Sequence, residues 1–404
     1  MGFLDNLFKK KDTPAPSSTA PTPAPTPIAT PQPAHTPPPP PMPSAPPKMV
    51  DMKVSNISEF WNWFGQNEAA FKRIVFENGN VQQDFLGAVV GKLQLLQNGI
   101  WLLAGVAEGP IIELVLTAEG MVKLFPVIDT IIAAAPQIPG WKFTALKPAV
   151  PNVGWNIKMG NYEFSAEKLN FYVNEHDSMP DLIDIAVFYD DFNASENDLM
   201  HNGVFMYIDN LLGEREFATI IDGISVGSRQ NAQKELIPIS NLKDYLSTRQ
   251  KQFVDKYQGF SRNTEDDQYI GLEGRTPNGS PVLANINQNL INWDTKASHP
   301  WLMKVTCTFK TPVTNGGLDA QTSEFLDEIE EEICTKLPDV EGYLNFGRVT
   351  VENIRELFFA CREYSHLSTV MHHIQKSNKR PITIEFEVQK DKYWRLFDQF
   401  RPSA

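Results

Sequence analysis

Between residues 300 and 402 the chain changes its hydrophobic period several times in a fixed order, and that order restricts the fold more than any other feature. Residues 301–309 alternate apolar and polar side chains, the spacing of a half-buried strand. Residues 322–337 change to helical spacing, with Phe325, Leu326, Ile329, Ile333 and Leu337 on one stripe. Two β-rich stretches follow at 343–350 and 354–362, with Glu352 and Asn353 as the turn between them. A second helix over 365–375 and a strand over 382–388 complete a βαββαβ series, the ferredoxin-like arrangement. Such a sandwich hosts many unrelated functions, so the pattern bounds the architecture and leaves the chemistry open.

The residues around these elements carry a likeness. His299, Pro300, Trp301 and Leu302 lead into the first strand, and Gly347-Arg-Val-Thr350 and Arg355-Glu-Leu-Phe-Phe359 occupy the central pair. Phe386-Glu-Val388 is followed by Tyr393, Trp394, Phe397 and Asp398. On these residues the segment from about 269 to 402 resembles the bacterial DUF695 family. Members of that family are similar in fold to the regulator of ribonuclease E activity B, which inhibits a nuclease by binding it. The resemblance implies a protein-binding module sooner than an enzyme, and it carries over no catalytic residue and no cofactor.

A formal charge of −13 over 404 residues leaves no excess of Lys and Arg to neutralise phosphates, which argues against direct nucleic-acid binding and suits a basic protein partner. The three cysteines, Cys307, Cys334 and Cys361, each fall in an apolar stripe and read as reduced thiols in a cytoplasmic protein. No apolar window is long enough to span a bilayer. The amino terminus lacks the apolar core of a signal peptide, and Asn6 stands where a myristoylation signal has Ser or Thr.

The composition divides the chain into four parts. Residues 1–12 place Phe3, Leu4, Leu7 and Phe8 on one side of a short helix ending in Lys9 to Lys11, a segment suited to weak contact with an anionic membrane surface, such as the inner membrane. Residues 13–52 hold more than half of the chain's 31 prolines and read as a disordered Pro-rich tether, reaching on the order of 100 Å when extended. Residues 53–259 read as an α+β domain. It opens with a helix capped by Ser58 and continues through a ββαβ order between 101 and 146. Strands are expected over 162–174 and 182–189, a helix from Asp198 stopping at Gly213, and another over 240–257. Residues 265–404 form the second domain, with Asn278-Gly279 as a hairpin signal near its start. The expected fold class is therefore α+β, with antiparallel sheets in two domains behind a tether.

Each candidate for chemistry has a plainer explanation. Gly223-Ile-Ser-Val-Gly227 matches the nucleophile elbow, with residues 217–221 as the strand before it, but its polar downstream sequence lacks the helix that the motif needs, which leaves Ser225 a strand-end serine or the nucleophile of a hydrolase. Asp209 and Glu214 form a carboxylate pair near a helix end, fit either for acid–base work or for a cap and an ion pair with Arg215. Asp190 and Asp191 are a second acidic pair. Cys361, His366, His372 and His373 match no standard zinc spacing, so no metal is expected there. The aromatic group Phe60, Trp61, Trp63 and Phe64 has helical spacing and reads as core rather than as a base-stacking platform.

The acidic run Asp327 to Glu332 lies opposite the apolar stripe of its helix and can serve as a docking strip through Glu328, Glu331 and Glu332. Arg348 and Arg355 are the basic candidates for partner binding, with an internal salt link as the simpler role. Together these features predict a non-enzymatic regulatory module that binds a protein, with neutralisation of a nuclease or another basic effector as one expectation. A hydrolase using Ser225 or the Asp209 and Glu214 pair, and a peripheral membrane scaffold, are the alternatives.

Overall fold

The computed structural model describes residues 49–401, apart from 78, 107–108, 151–153, 311–312 and 314–316. The basic segment over 1–12 and nearly all of the tether over 13–52 lie outside the described residues. Helix α1 (Ile57–Phe76) starts where Asn56 Oδ1 accepts the Glu59 N–H at 2.9 Å, so the cap is Asn56, and Ser58 sits inside the first turn. The helix buries Phe60, Trp61, Trp63, Phe64 and Phe71, confirming the aromatic group as core. A π-helical stretch over Val81–Gly87 runs into α2 (Ala88–Leu96). Strands β1 (Trp101–Val106) and β2 (Ile112–Thr117) pair antiparallel, α3 (Phe125–Ala133) crosses over, and β3 (Trp141–Ala145) returns parallel to β2.

The next sheet belongs to the middle of the chain. A hairpin of β4 (Asn156–Met159) and β5 (Tyr162–Ser165) precedes the antiparallel pair β6 (Leu169–Asn174) and β7 (Asp184–Tyr189). The single strand expected over 162–174 is thus two, because a turn held by Lys168 N–H on the Ser165 carbonyl interrupts it. Helices α4 (Asn197–Leu212) and α5 (Glu214–Ile220) carry the chain to β8 (Gly223–Ser228), which lies parallel to β7. A short β9 (Ile237–Pro238) pairs with β6, giving the order β8-β7-β6-β9, and α6 (Leu242–Tyr257) follows. The two parallel pairs depart from the expected antiparallel sheets, and each arises where helices connect the two strands.

The carboxy-terminal part builds one six-stranded antiparallel sheet. Hairpin β10 (Tyr269–Arg275) and β11 (Pro281–Asn287) holds Asn278 and Gly279 in its loop, and a short α7 (Gln288–Ile291) follows. Then come β12 (Trp301–Thr308), α8 (Ala320–Lys336), β13 (Tyr343–Val351), β14 (Ile354–Cys361), α9 (Ser365–Ser377) and β15 (Thr383–Lys390), each within a few residues of its sequence-derived limits. The strand order is β10-β11-β13-β14-β12-β15. Gly347, at φ 141°, sits where β13 bulges against β14, and an added Cβ there would press on the Asn285 carbonyl oxygen and lie 2.8 Å from Ile286 Cα. Only glycine fits that approach of β13 to β11.

Among the described residues three apolar cores result. One joins Phe64, Leu114 and Ile128 of the amino-terminal elements to Val305, Leu357 and Ile374 on one face of the large sheet. A second, around Phe164, Tyr189, Tyr207 and Leu246, belongs to the middle sheet. The third packs Phe346, Phe358, Trp394 and Phe397 on the other face of the large sheet. Residues 53–259 therefore contribute to two cores, one of which continues into the carboxy-terminal sheet. Polar contacts follow the same junction: Lys123 Nζ donates to the Phe386 carbonyl at 2.8 Å, and the Lys123 carbonyl lies 3.0 Å from His372 Nε2. Among the described residues no helix is long and apolar enough to cross a membrane.

Candidate functional site

A concavity opens where the middle sheet's helices meet the ends of β12, β14 and β15. It has a volume of about 450 Å³. Thr219 of α5 and Gln250, Phe253, Val254 and Tyr257 of α6 form one wall; Pro300, Trp301, Arg362, Glu363, Tyr364 and Lys390 form the other. The halves are joined by charged contacts that neither half can make alone. Asp222, just before β8, accepts from Lys390 Nζ at 2.9 Å and from Lys392 Nζ at 2.7 Å. Lys390 also donates to the Ile220 carbonyl at 2.7 Å, and Lys392 to the Asp181 carbonyl at 2.7 Å. Burial lowers both lysines, Lys390 to about 8, against the opposing pull of Asp222. Arg215 of α5 donates to both oxygens of Asp129 in α3 and, at 3.2 Å, to Tyr364 Oη.

Arg362 differs from these cations. Its Nη2 is buried with no hydrogen-bond partner, and it forms no ion pair among the described residues. Its neighbour Glu363 is fully engaged, accepting from Tyr343 O–H at 2.6 Å and from the first N–H groups of α9, Ser365 and His366. His299 lies behind the wall. Ser298 Oγ donates to the Thr295 carbonyl at 2.6 Å, so it accepts from His299 Nδ1–H at 2.8 Å, and Nε2 is left as an unprotonated nitrogen without a partner. Burial first, and then the Arg362 charge, push the imidazole down to about 3. The His299 carbonyl accepts from Trp394 Nε1 at 2.9 Å, and Trp394 is itself buried at φ 56°. The sequence signature thus clusters beside the cleft: His299 and Trp301 enter β12, and Tyr393 and Trp394 follow β15. Residues 275–401 match DUF695, a family of unknown function.

The DUF695 match covers just under a third of the chain and includes the whole second wall of the cleft, whereas α5 and α6 lie outside it. No curated protein and no solved structure matches the chain.

The candidates read from sequence lie elsewhere. Ser225 is in the middle of edge strand β8, opposite Ala186, with its side chain exposed, and the G-x-S-x-G segment is strand throughout, with no turn to a helix at the serine. Residues 217–220, expected as the strand before it, belong to α5, where Gly213 at φ 82° and the anchored Glu214 start a helix. The Glu214 carboxylate is buried and accepts from Thr117 O–H at 2.6 Å, the N–H groups of Ala118 and Gly120 at 3.0 Å, and Lys147 N–H at 3.2 Å. Asp209 pairs with Lys147 Nζ. Neither carboxylate pairs with Arg215; Glu214 links the end of β2 to α5, and Asp209 ties α4 to the segment after β3. Asp190 and Asp191 pair with Arg229 and Lys168.

On α8 the acidic run meets three arginines. Glu328 and Glu332 both hold Arg380, at 2.8 and 3.2 Å, and Glu331 is exposed without an ion pair among the described residues. Arg348 pairs with Glu330 at 2.7 Å and Asp327 at 3.2 Å; Arg355 is buried, pairing with Asp327 at 2.8 Å and donating to Thr350 Oγ1. Glu356 faces the other way and holds Lys304 at 3.2 Å. Cys361 is fully buried, His372 is turned to the Lys123 carbonyl, and no cluster of His, Cys, Asp or Glu placed to hold a metal occurs among the described residues. All three cysteines are free, with burial raising each thiol.

One exposed surface had no sequence signal of its own. Strand β1 is an edge of its sheet, and Trp101, Leu103 and Val106 are 44%, 48% and 56% exposed; Leu95 and Ile111 are exposed as well. Its alternation is apolar on both faces, which in sequence reads as a buried strand.

Proposed function

We propose that the chain is a non-enzymatic protein-binding module, that β1 is its docking edge, and that the partner supplies an extended apolar segment as a further strand. The observation that carries this reading is the composition of the edge. Residues 101–106 contain no charged residue and no proline, although proteins ordinarily blunt an open edge with one or the other. An added strand would satisfy the free backbone groups of β1, and the exposed Trp101 and Leu103 side chains would contact its apolar residues. The partner need not be strongly basic, because most of the acidic charge on α8 is already met by Arg348, Arg355 and Arg380; Glu331 is left as a contributor to electrostatic steering.

A ferredoxin-like carboxy-terminal unit and a cytoplasmic setting belong to the same proposal. The strand order β13-β14-β12-β15, with α8 and α9 as the two connections, supports the first, and three free thiols in strands and a helix are consistent with the second. A likeness to a nuclease inhibitor is compatible with binding through an edge strand. Capture from the native host with the full chain tests the docking edge. The wild-type chain should retain a partner whose binding protects the β1 amides from hydrogen exchange, and Leu103→Lys should abolish retention while leaving the melting temperature unchanged. Equal retention by Leu103→Lys and by Leu103→Pro would exclude β1 as the edge.

A further inference from the structure

We infer that the cleft between α6 and the ends of β12, β14 and β15 is a binding site for a small organic oxyanion, a carboxylate or phosphate monoester attached to a flat apolar body. This site is separate from the β1 edge, so either proposal can fail without the other. Its size, about 450 Å³, lies in the range of small-molecule sites. Its charge opposes that of the molecule. Among its lining residues Arg362 and Lys390 stand against Glu363 alone, an excess of one cation within a chain of formal charge −13.

The decisive group is Arg362. A guanidinium has five N–H donors and no acceptor, and buried donors in native proteins are ordinarily paired. Its Nη2 is buried in the cleft wall with no partner, while the nearest acid in sequence, Glu363, is already saturated by Tyr343, Ser365 and His366. An oxyanion in the cleft would supply the missing acceptor once the Arg362 side chain, whose Nη2 is covered, turns toward it, and guanidinium geometry suits a bidentate carboxylate or phosphate. Tyr364 adds a further donor: its oxygen accepts from Arg215 Nη1, which leaves its own O–H free to turn toward the ligand. The rest of the lining is apolar. Phe253 and half-exposed Val254 face Pro300 and Trp301 and would hold the ligand's body, with Trp301 packed 4.8 Å from the Tyr364 ring and fixed by it.

The experiment is titration of the full chain with phenyl phosphate and with benzoate, read by calorimetry and by tryptophan fluorescence, with inorganic phosphate and neutral benzyl alcohol as single-feature probes. At least one aryl oxyanion should saturate below about 10 mM, with inorganic phosphate weaker and benzyl alcohol weaker still. Losing a charge-assisted hydrogen bond predicts a roughly 10- to 100-fold weakening in Arg362→Gln. Val254→Glu, on the exposed wall, should weaken binding without touching the fold, so the proposal is testable even if Arg362→Gln does not fold. Absence of saturation by both aryl anions, equal binding of benzyl alcohol, or an affinity unchanged in both variants would overturn the assignment.

Discussion

Glu214 offers the sharpest test of how the parts are held together. Its two oxygens accept four hydrogen bonds, from Thr117, Ala118, Gly120 and Lys147, and all four donors come from outside its own helix. Glu214→Gln keeps the shape and replaces one oxygen by a donor. The amide nitrogen cannot face Ala118 and Gly120, whose N–H groups are fixed in the backbone. It must face Thr117, whose hydroxyl can rotate to accept, and Lys147, whose N–H is then orphaned. One buried orphan costs about 1–3 kcal/mol, and losing the charge on the remaining bonds adds to it, so about 3 kcal/mol is expected. For a domain of 150–250 residues that is roughly a 6–12 °C fall in melting temperature. Glu214→Ala orphans all four donors and should cost more. In a double-mutant cycle Thr117→Val should cost about 1.5–3 kcal/mol in the wild-type chain and almost nothing beside Glu214→Ala. Calorimetric melts of the five proteins decide it: if both Glu214 variants melt within about a degree of the wild type, the carboxylate is not a pin between β2 and α5.

Gly347→Ala should destabilise the chain by about 3 kcal/mol or more, since its Cβ would meet the backbone of β11 and its φ disfavours any side chain; a urea midpoint matching the wild type would contradict that packing. Stability should rise between pH 8 and 10. The unfolded chain keeps the Lys390 proton up to its ordinary value of 10.5 while the folded chain releases it near 8, so unfolding takes up a proton in that window and is disfavoured as pH increases. The gain is at most about 3 kcal/mol. It should end above pH 10, where Tyr207 and Tyr393, pushed up to about 12 by burial, hold their protons longer in the folded state and reverse the slope. Lys390→Met should flatten the rise in urea melts at pH 8 and 10, and a slope identical to the wild type would show that Lys390 is not its source.

The elements of the large sheet were legible because each is half-buried and carries its own period: the alternation over 301–309 and the stripe from Leu326 to Leu337 both name a face. Residues 217–221 misled because their apolar run has β character, and the anchor that makes them helical, Glu214, finds its partners 67 to 97 positions away. The same distance hid the cleft. Thr219, Phe253, Trp301 and Arg362 form no local motif, and Arg362 stands out only once every nearby carboxylate is seen to be occupied. Conversely, Glu328 and Glu332 looked free because Arg380 lies far along the chain, beyond β14 and α9.

The first apolar core has a consequence for how this chain is inherited. The family likeness begins at 275, yet the core that holds Val305, Leu357 and Ile374 is continuous with residues from before 150, and β10 is almost wholly outside the match. A gene cut at the family boundary would deliver a sheet stripped of its outer strand and an α9 bared where α3 packs against it. Recombination can therefore shuffle this segment only together with a cover of matching shape, and a search for the smallest transferable piece should follow the buried contacts rather than the limits of sequence likeness.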